Sequence, residues 1–257
     1  MMPLNRGIYS AATGMLAQQF VLDAVAGNLA NSATPGFKQD VPTFRALHEM
    51  AIRRVAGRSG APEIGRLGLG AAFDRTVTDL SAGALQQTGG MLDLALAGEG
   101  FFVVQTPRGV RYTRAGQFQA LPAGKAADGS PASWLADMAG NRVLGEKGPI
   151  ALGAARSVVV AEDGTVTVDG AVADRIRRVH APAAALVKEG GNLFSISGTT
   201  APSSAPVRQG FLEASNVSGI DSMVRMIALH RAYEAAQRAV TTQDDTLGRA
   251  VNEVMRV

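Results

Sequence analysis

At 257 residues, with 46% hydrophobic and 18% charged side chains, the chain is too apolar to remain disordered and long enough for one large or two small domains. The absence of cysteine excludes a disulfide framework, a thiolate zinc site, an iron–sulfur cluster and a cysteine nucleophile. With 25 Lys and Arg against 22 Asp and Glu, a net charge of +3, the chain lacks the basic excess of a nucleic-acid footprint; no run of about 18 apolar residues offers a membrane span.

The first segment, Leu4 to Asn31, predicts a helix. Ile8, Met15, Leu22 and Leu29 recur every seven positions, and Leu4, Ala11, Gln18 and Val25 fill the alternate register, which is a coiled-coil-like heptad stripe. Pro35 and Gly36 end it, because proline cannot continue the ladder and pushes Thr34 out of the helical region. Between Leu4 and Asn31 only Arg6 and Asp23 are charged. A helix exposed on a monomer carries a charged outer face, so this one is suited to being surrounded by protein on most sides. The alternative is a central helix of a monomeric core, for which one partner helix and a small β-domain supply little covering surface. Gly7 and Gly14 cost about 1 kcal/mol each relative to alanine but, with Ala11, permit close backbone approach by a neighbour. One early cation, Arg6, and the interruptions at Gln18, Gln19 and Asp23 do not read as a cleaved signal peptide.

Residues 53–90 are rich in Gly and Ala and predict a connector with little periodic support. Short β-type runs follow at Phe101 to Gln105, Val110 to Arg114, Val158 to Ala161, Thr165 to Val168 and Arg175 to His180. They are punctuated by Pro107-Arg108-Gly109, Asp128-Gly129, Asp163-Gly164 and Asp169-Gly170. The clearest hairpin signal is Val158 to Val168 around Asp163-Gly164, a pair suited to the primed turns. Gly198 to Pro206 predicts a loop.

The last segment, Gly219 to about Met255, predicts a second helix, opened by the capping box of Ser218 and Asp221. Met226, Tyr233, Val240, Leu247 and Val254 recur every seven positions, interleaved with Leu229, Ala236, Gln243 and Ala250. Asp221 with Arg225, Glu234 with Arg238 and Asp245 with Arg249 add acid-before-base pairs worth about 0.2–0.5 kcal/mol each. The expected architecture is α+β: paired N- and C-terminal coiled-coil-like helices with an inserted antiparallel β-domain. Its parts are residues 1–40 (helix and motif), 41–93 (extended connector), 94–212 (β-rich domain) and 213–257 (C-terminal helix pairing with 1–40). Pairing leaves the β-domain projecting, and head-to-tail contacts that do not close generate a filament. The expected assembly interface is Leu4, Ile8, Ala11, Met15, Leu22, Val25, Leu29, Met226, Leu229, Tyr233, Ala236, Val240, Leu247 and Val254.

Chemistry-bearing constellations do not emerge. His48, His180 and His230 lie far apart, outside HExxH, and His230 with Glu234 supplies only two groups where a metal needs more. Gly124-Lys125 is followed by Ala126 where a P-loop needs Ser or Thr, Gly98-Glu99-Gly100 has Val103 at the third glycine of a dinucleotide fingerprint, and no nucleophile elbow occurs. Glu162, Asp163 and Asp169 sit at predicted turns, where Asp satisfies local backbone. Arg175, Arg177 and Arg178, without aromatic neighbours, read as a solvated strand face. The sequon Asn216-Val217-Ser218 competes with the capping role of Ser218. No catalytic, cofactor-binding or metal residue is expected, and no small-molecule substrate.

Three blocks, however, are familiar: Asn28-Leu29-Ala30-Asn31-Ser32-Ala33-Thr34-Pro35-Gly36-Phe37-Lys38; Leu94 through Phe102 with Tyr112-Thr113-Arg114-Ala115-Gly116-Gln117-Phe118; and Gln209 through Val217, followed by Met226-Ile227 and Arg231-Ala232-Tyr233-Glu234. In this order they resemble the signatures of the flagellar basal-body rod and hook family. Ser218 and Gly219 depart from it, where many relatives place another Asn. The resemblance implies a helical tube lined by paired terminal helices, with the β-domain outside. It implies contacts with other copies and with neighbouring rod or hook proteins. It also implies passage through the flagellar type III export apparatus without a cleaved signal and residence in the basal body. The competing classes are a hook-type relative, a wall hydrolase using Glu162 and Asp163, and a monomeric adhesin on a helical stalk.

Overall fold

The computed structural model describes residues 5–47, 49–53, 63–68, 70–125 and 131–254. Leu4, His48 and the Asp128-Gly129 turn lie outside them, as do the side chains of Ile8, Leu247 and Val254. The described parts of residues 1–30, 40–77 and 219–257 form one compact unit; those of 31–39 and 78–218 form a second.

The first unit holds helix α1, Asn5–Ala30, helix α2, Gly219–Val254, and strands β1 (Asp40–Ala46), β2 (Glu49–Arg53), β3 (Glu63–Gly68) and β4 (Ala71–Thr78). α1 and α2 contact each other. β1 pairs with β4, and β2 pairs antiparallel with β3 from Glu49 opposite Gly68 to Arg53 opposite Glu63. The described residues between Asp40 and Thr78 thus include two strand pairs where a connector was expected. β4 escaped sequence detection because nothing covers one face only: from Phe73 to Val77 every residue is exposed, so no period-2 pattern is written into the sequence. What anchors it is aromatic. Phe73 stacks on Phe20 of α1 at 4.7 Å between centroids, and Phe44 meets Phe73 edge-on at 6.2 Å. Asn28, buried near the end of α1, accepts from the Asp40 N–H at 2.9 Å and donates to the Asp40 carbonyl at 2.8 Å, tying the helix end to the start of β1.

The second unit is antiparallel β throughout its assigned pairings. In chain order its strands are β5 (Leu85–Gln87), β6 (Leu94–Leu96), β7 (Phe101–Thr106), β8 (Gly109–Thr113), β9 (Phe118–Lys125), β10 (Pro131–Asp137) and β11 (Arg142–Val143). They continue with β12 (Val158–Val160), β13 (Thr165–Val168), β14 (Ala171–Arg175), β15 (Arg178–His180), β16 (Leu186–Gly190) and β17 (Leu193–Ile196). The last three are β18 (Ala201–Pro202), β19 (Val207–Gln209) and β20 (Phe211–Glu213). Among the described residues the main sheet runs β16-β17-β8-β7-β11-β10-β9, with β15 beside β7 and β18 beside β15. β7 explains the unit's core. Phe102 and Val104 join one apolar cluster, with Leu135, Val143, Ile150, Val166 and Ile176, while Phe101 and Val103 join another, with Val179 and Phe194. A strand buried on both faces reads as a continuous apolar run, which is how Phe101 to Val104 appears in the sequence.

The Val158 to Val168 hairpin forms as expected, with Val158 opposite Val168, but with different turn chemistry. Gly164 N–H bonds the Ala161 carbonyl, and Gly164 alone takes positive φ, +82°, while Asp163 supports the turn by accepting from Thr165 N–H. The primed geometry, positive φ at both central residues, appears one hairpin later at Asp169 (φ 49°) and Gly170 (φ 88°), between β13 and β14. Arg175 to His180, expected as one strand, divides into the end of β14 and β15.

Candidate functional site

Three segments distant in sequence meet at Glu213, in β20. Its side chain is almost wholly buried, as are those of its partners Lys38 and Arg114. Lys38 Nζ donates to Glu213 Oε1 at 2.7 Å and to the Ser81 carbonyl at 2.6 Å. Gly83 N–H donates to the same carboxylate oxygen at 2.9 Å, and Arg114 Nε donates to Oε2. The rest of the Arg114 guanidinium is spent on backbone: Nη1 donates to the Gly100 carbonyl at 2.6 Å, and Nη2 to the Leu96 and Gly98 carbonyls at 3.0 and 2.6 Å. The fork of one arginine therefore ties the turn between β6 and β7 to β20, work a point-charge lysine could not do. Gly36, at φ +70°, lies so close to this arginine's backbone that a Cβ would sit 2.5 Å from Arg114 C and Ala115 N. That approach requires glycine at this position of the first motif.

On α2, the heptad stripe is the covered one. From Met223 to Val240 the residues not exposed are Met226, Leu229, Ala232, Tyr233, Ala236 and Val240. On α1, Ala11, Met15, Leu22 and Leu29 are half-buried and Val25 is buried. Gly14, expected as a point of close approach, has open space where a Cβ would stand. A second stripe went unrecognised in the sequence: Ile220, Met223, Val224 and Ile227 occupy one face over the first turns of α2 and are 78%, 55%, 63% and 57% exposed.

Three family descriptions match the chain: "Flagella basal body rod protein" over residues 8–38, "Flagellar hook protein FlgE/F/G D1 domain" over 95–168, and "Flagellar basal body rod FlgEFG protein C-terminal" over 208–253. The similarity extends over the whole chain in FlgG of Bacillus subtilis (strain 168), a flagellar basal-body rod protein. It is 32% identical, over 96% of this chain and 98% of the relative. The chain belongs to the flagellar basal-body rod protein family. FlgF of Caulobacter vibrioides is 29% identical over 99% of this chain and 100% of its own length, and FlgF of Escherichia coli K12 is 30% identical over 96% and 97%. Each of the three matched segments contributes one residue to the buried cluster: Lys38 from the first, Arg114 from the second and Glu213 from the third. The rod-family signatures thus meet in one ionic knot, a role for these three charges that their motifs did not disclose in the sequence.

The remaining candidates sit apart from this knot. Asp163 and Asp169 accept backbone N–H groups of Thr165, and of Arg156 and Ser157, and so serve their turns. Arg175 pairs with Asp163 at 3.1 Å and Glu146 at 3.7 Å, while Arg178 donates to the Asp163 and Ala205 carbonyls. His180 Nδ1 is 3.6 Å from Glu99, and His230 Nδ1 is 3.2 Å from Glu234. Among the described residues no group of three or more His, Asp or Glu could hold a metal ion, and no helix is long and apolar enough to cross a membrane.

The knot dictates an acid sensitivity. Burial by itself would raise the Glu213 carboxyl, but the Arg114 charge and the hydrogen bonds from Lys38, Arg114 and Gly83 N–H outweigh it and hold the group below its ordinary range. Burial lowers the Lys38 ammonium, partly offset by Glu213 and Asp79. A carboxyl depressed in the folded state adds stability that is fully present above its unfolded pKa of about 4.3 and disappears as pH falls through the folded value. Urea titrations across the acid range are therefore expected to show a midpoint that declines below about pH 4.5, and a smaller decline in Glu213→Gln. Equal slopes in the two proteins would remove Glu213 as the source.

Proposed function

We propose that this chain is a structural subunit of the bacterial flagellar basal-body rod. Its terminal helices pair in coiled-coil fashion along the stripes of α1 and α2, and copies polymerise into a helical tube that transmits torque and conducts exported subunits. Full-length similarity to FlgG and FlgF carries the reading. The contact of α1 with α2 inside one unit, and the coincidence of the covered face of α2 with its heptad positions, support the pairing. The interface residues are Ala11, Met15, Leu22, Val25 and Leu29 on α1 with Met226, Leu229, Tyr233, Ala236 and Val240 on α2; Leu4, Ile8, Leu247 and Val254 extend the same registers. Its partners are other copies of itself and the adjoining rod or hook proteins, and its route is the flagellar type III apparatus without a cleaved signal. The full-length relatives named above are rod proteins, which favours rod over hook. Its physics is interface stiffness, and no catalytic step is assigned to it.

Leu22→Pro tests the proposal. Proline in mid-helix removes a backbone bond and clashes with the preceding turn, at about 3 kcal/mol or more. The variant is expected to be secreted yet absent from purified basal bodies, with non-motile cells. Normal swimming would overturn the helical lining.

A further inference from the structure

We infer that residues 31–39 are a separable strap, docked on the β unit by a catch made of Lys38 and Glu213, so that the folded chain has a strap-seated and a strap-released state. Of the first 77 residues, only these nine fall into the β unit; the chain enters it after Ala30 and leaves it before Asp40. At that point the ends are already held together by the paired Asn28 and Asp40 bonds, which close the loop independently of anything the strap touches.

The mode of attachment makes the strap separable. No residue of 31–39 belongs to either apolar cluster of the β unit, whose members all come from Leu80 onward. The sheet's core closes without it. The strap's one buried apolar side chain is Phe37, 6% exposed, and the rest of its attachment is a line of polar bonds. Asn192 Nδ2 donates to the Pro35 carbonyl at 3.2 Å, Gly36 N–H to the Glu213 carbonyl at 2.7 Å, and Gln39 N–H to Asn216 Oδ1 at 2.8 Å. Asp79 N–H donates to the Gln39 carbonyl at 2.8 Å, and Lys188 donates to the Lys38 carbonyl at 2.8 Å while its ammonium lies 3.9 Å from the Phe37 ring centroid. The strap's buried charged anchor is Lys38, whose ammonium ends on Glu213 and Ser81. Segments held by few apolar contacts open below the global free energy. When this one opens, Lys38 returns to water and Glu213 keeps Arg114 as its counter-charge, so neither buried charge is left alone. Such an opening is available to a segment that carries one arm of the knot and closed to Arg114, which is bonded to β6, to the turn that follows it and to β20 together.

The strap is a property of the isolated chain and opens or stays shut whether or not the chain polymerises. Hydrogen exchange by mass spectrometry on the full-length protein tests it, comparing peptides over 31–39 with peptides over β7 and β8. In Lys38→Met, exchange at Gly36, Phe37 and Gln39 is expected to accelerate by about tenfold or more while β7 and β8 keep their wild-type protection. Lys38→Met is the deciding variant because its partner acid remains paired with Arg114, whereas Glu213→Gln would unpair Arg114 and loosen the sheet as well. Acceleration of strap and sheet together would show one cooperative unit, and unchanged strap exchange would show that the catch is not what holds it. Either result overturns the inference.

Discussion

Arg114→Met is expected to destabilise the β unit by about 3–5 kcal/mol, the cost of breaking a buried ion pair by removing one partner. Methionine matches the length of the arginine stem but has none of its donors. Three carbonyls, of Leu96, Gly98 and Gly100, lose the guanidinium at once, and Glu213 loses its contact on Oε2. The arginine is 5% exposed, so these groups are buried away from bulk solvent. Trp134, the single tryptophan, lies in β10 with the Arg142 guanidinium 5.2 Å from its ring centroid, and its fluorescence reports unfolding of this unit. A urea midpoint lowered at constant slope gives the loss directly. Arg114→Lys should recover little of it, since an ammonium cannot span three carbonyls and a carboxylate. Lys38→Met should cost far less globally, because the strap that carries Lys38 is free to leave. A loss under about 1 kcal/mol for Arg114→Met would place the pair with ordinary surface salt bridges and remove it as the fastening of the fold.

The parts of this architecture legible in the sequence are those where burial is one-sided or complete. α2 announces itself because one stripe of the helix is covered, leaving a seven-residue repeat, and β7 because both of its faces are packed. β4 is silent for the opposite reason: from Phe73 to Val77 it faces no core that would alternate its residues. The ionic knot is silent for another. Lys38 and Glu213 are 175 residues apart and Arg114 and Glu213 are 99 apart, and a charged residue taken singly reads as surface. A local sign was present, since each charge is embedded among small or apolar neighbours: Gly36-Phe37 before Lys38, Ala115-Gly116 after Arg114, Phe211-Leu212 before Glu213. Turn chemistry was half legible, as Asp163-Gly164 and Asp169-Gly170 carry the same dipeptide, and only the number of residues between paired strands decides which adopts the primed form.

The second stripe of α2 yields the other large effect. Ile220, Met223, Val224 and Ile227 stand at i, i+3, i+4 and i+7, the spacing of a helix face meant to be covered, yet each is more than half exposed on the single chain. Four large apolar side chains in two turns make a contiguous patch of the kind that marks a protein contact. Under the proposed rod assembly, an adjoining copy would supply the cover. The double substitution Met223→Glu with Ile227→Glu places two carboxylates one turn apart in that patch. On the free protomer both remain in water, and exposed substitutions of this kind change stability by about 0.5 kcal/mol or less each; circular dichroism and the urea midpoint should therefore match wild type. In the assembled rod both carboxylates would be taken from water without a partner, at several kcal/mol per ion, repeated at every subunit. The expected result is a folded, secreted protein that never enters the basal body, and cells that do not swim, whereas Ile227→Leu swims normally. Motile cells carrying the double substitution would show that this face stays in solvent, and the neighbour would then have to be sought on Leu16 and Phe20 of α1, which are 56% and 44% exposed.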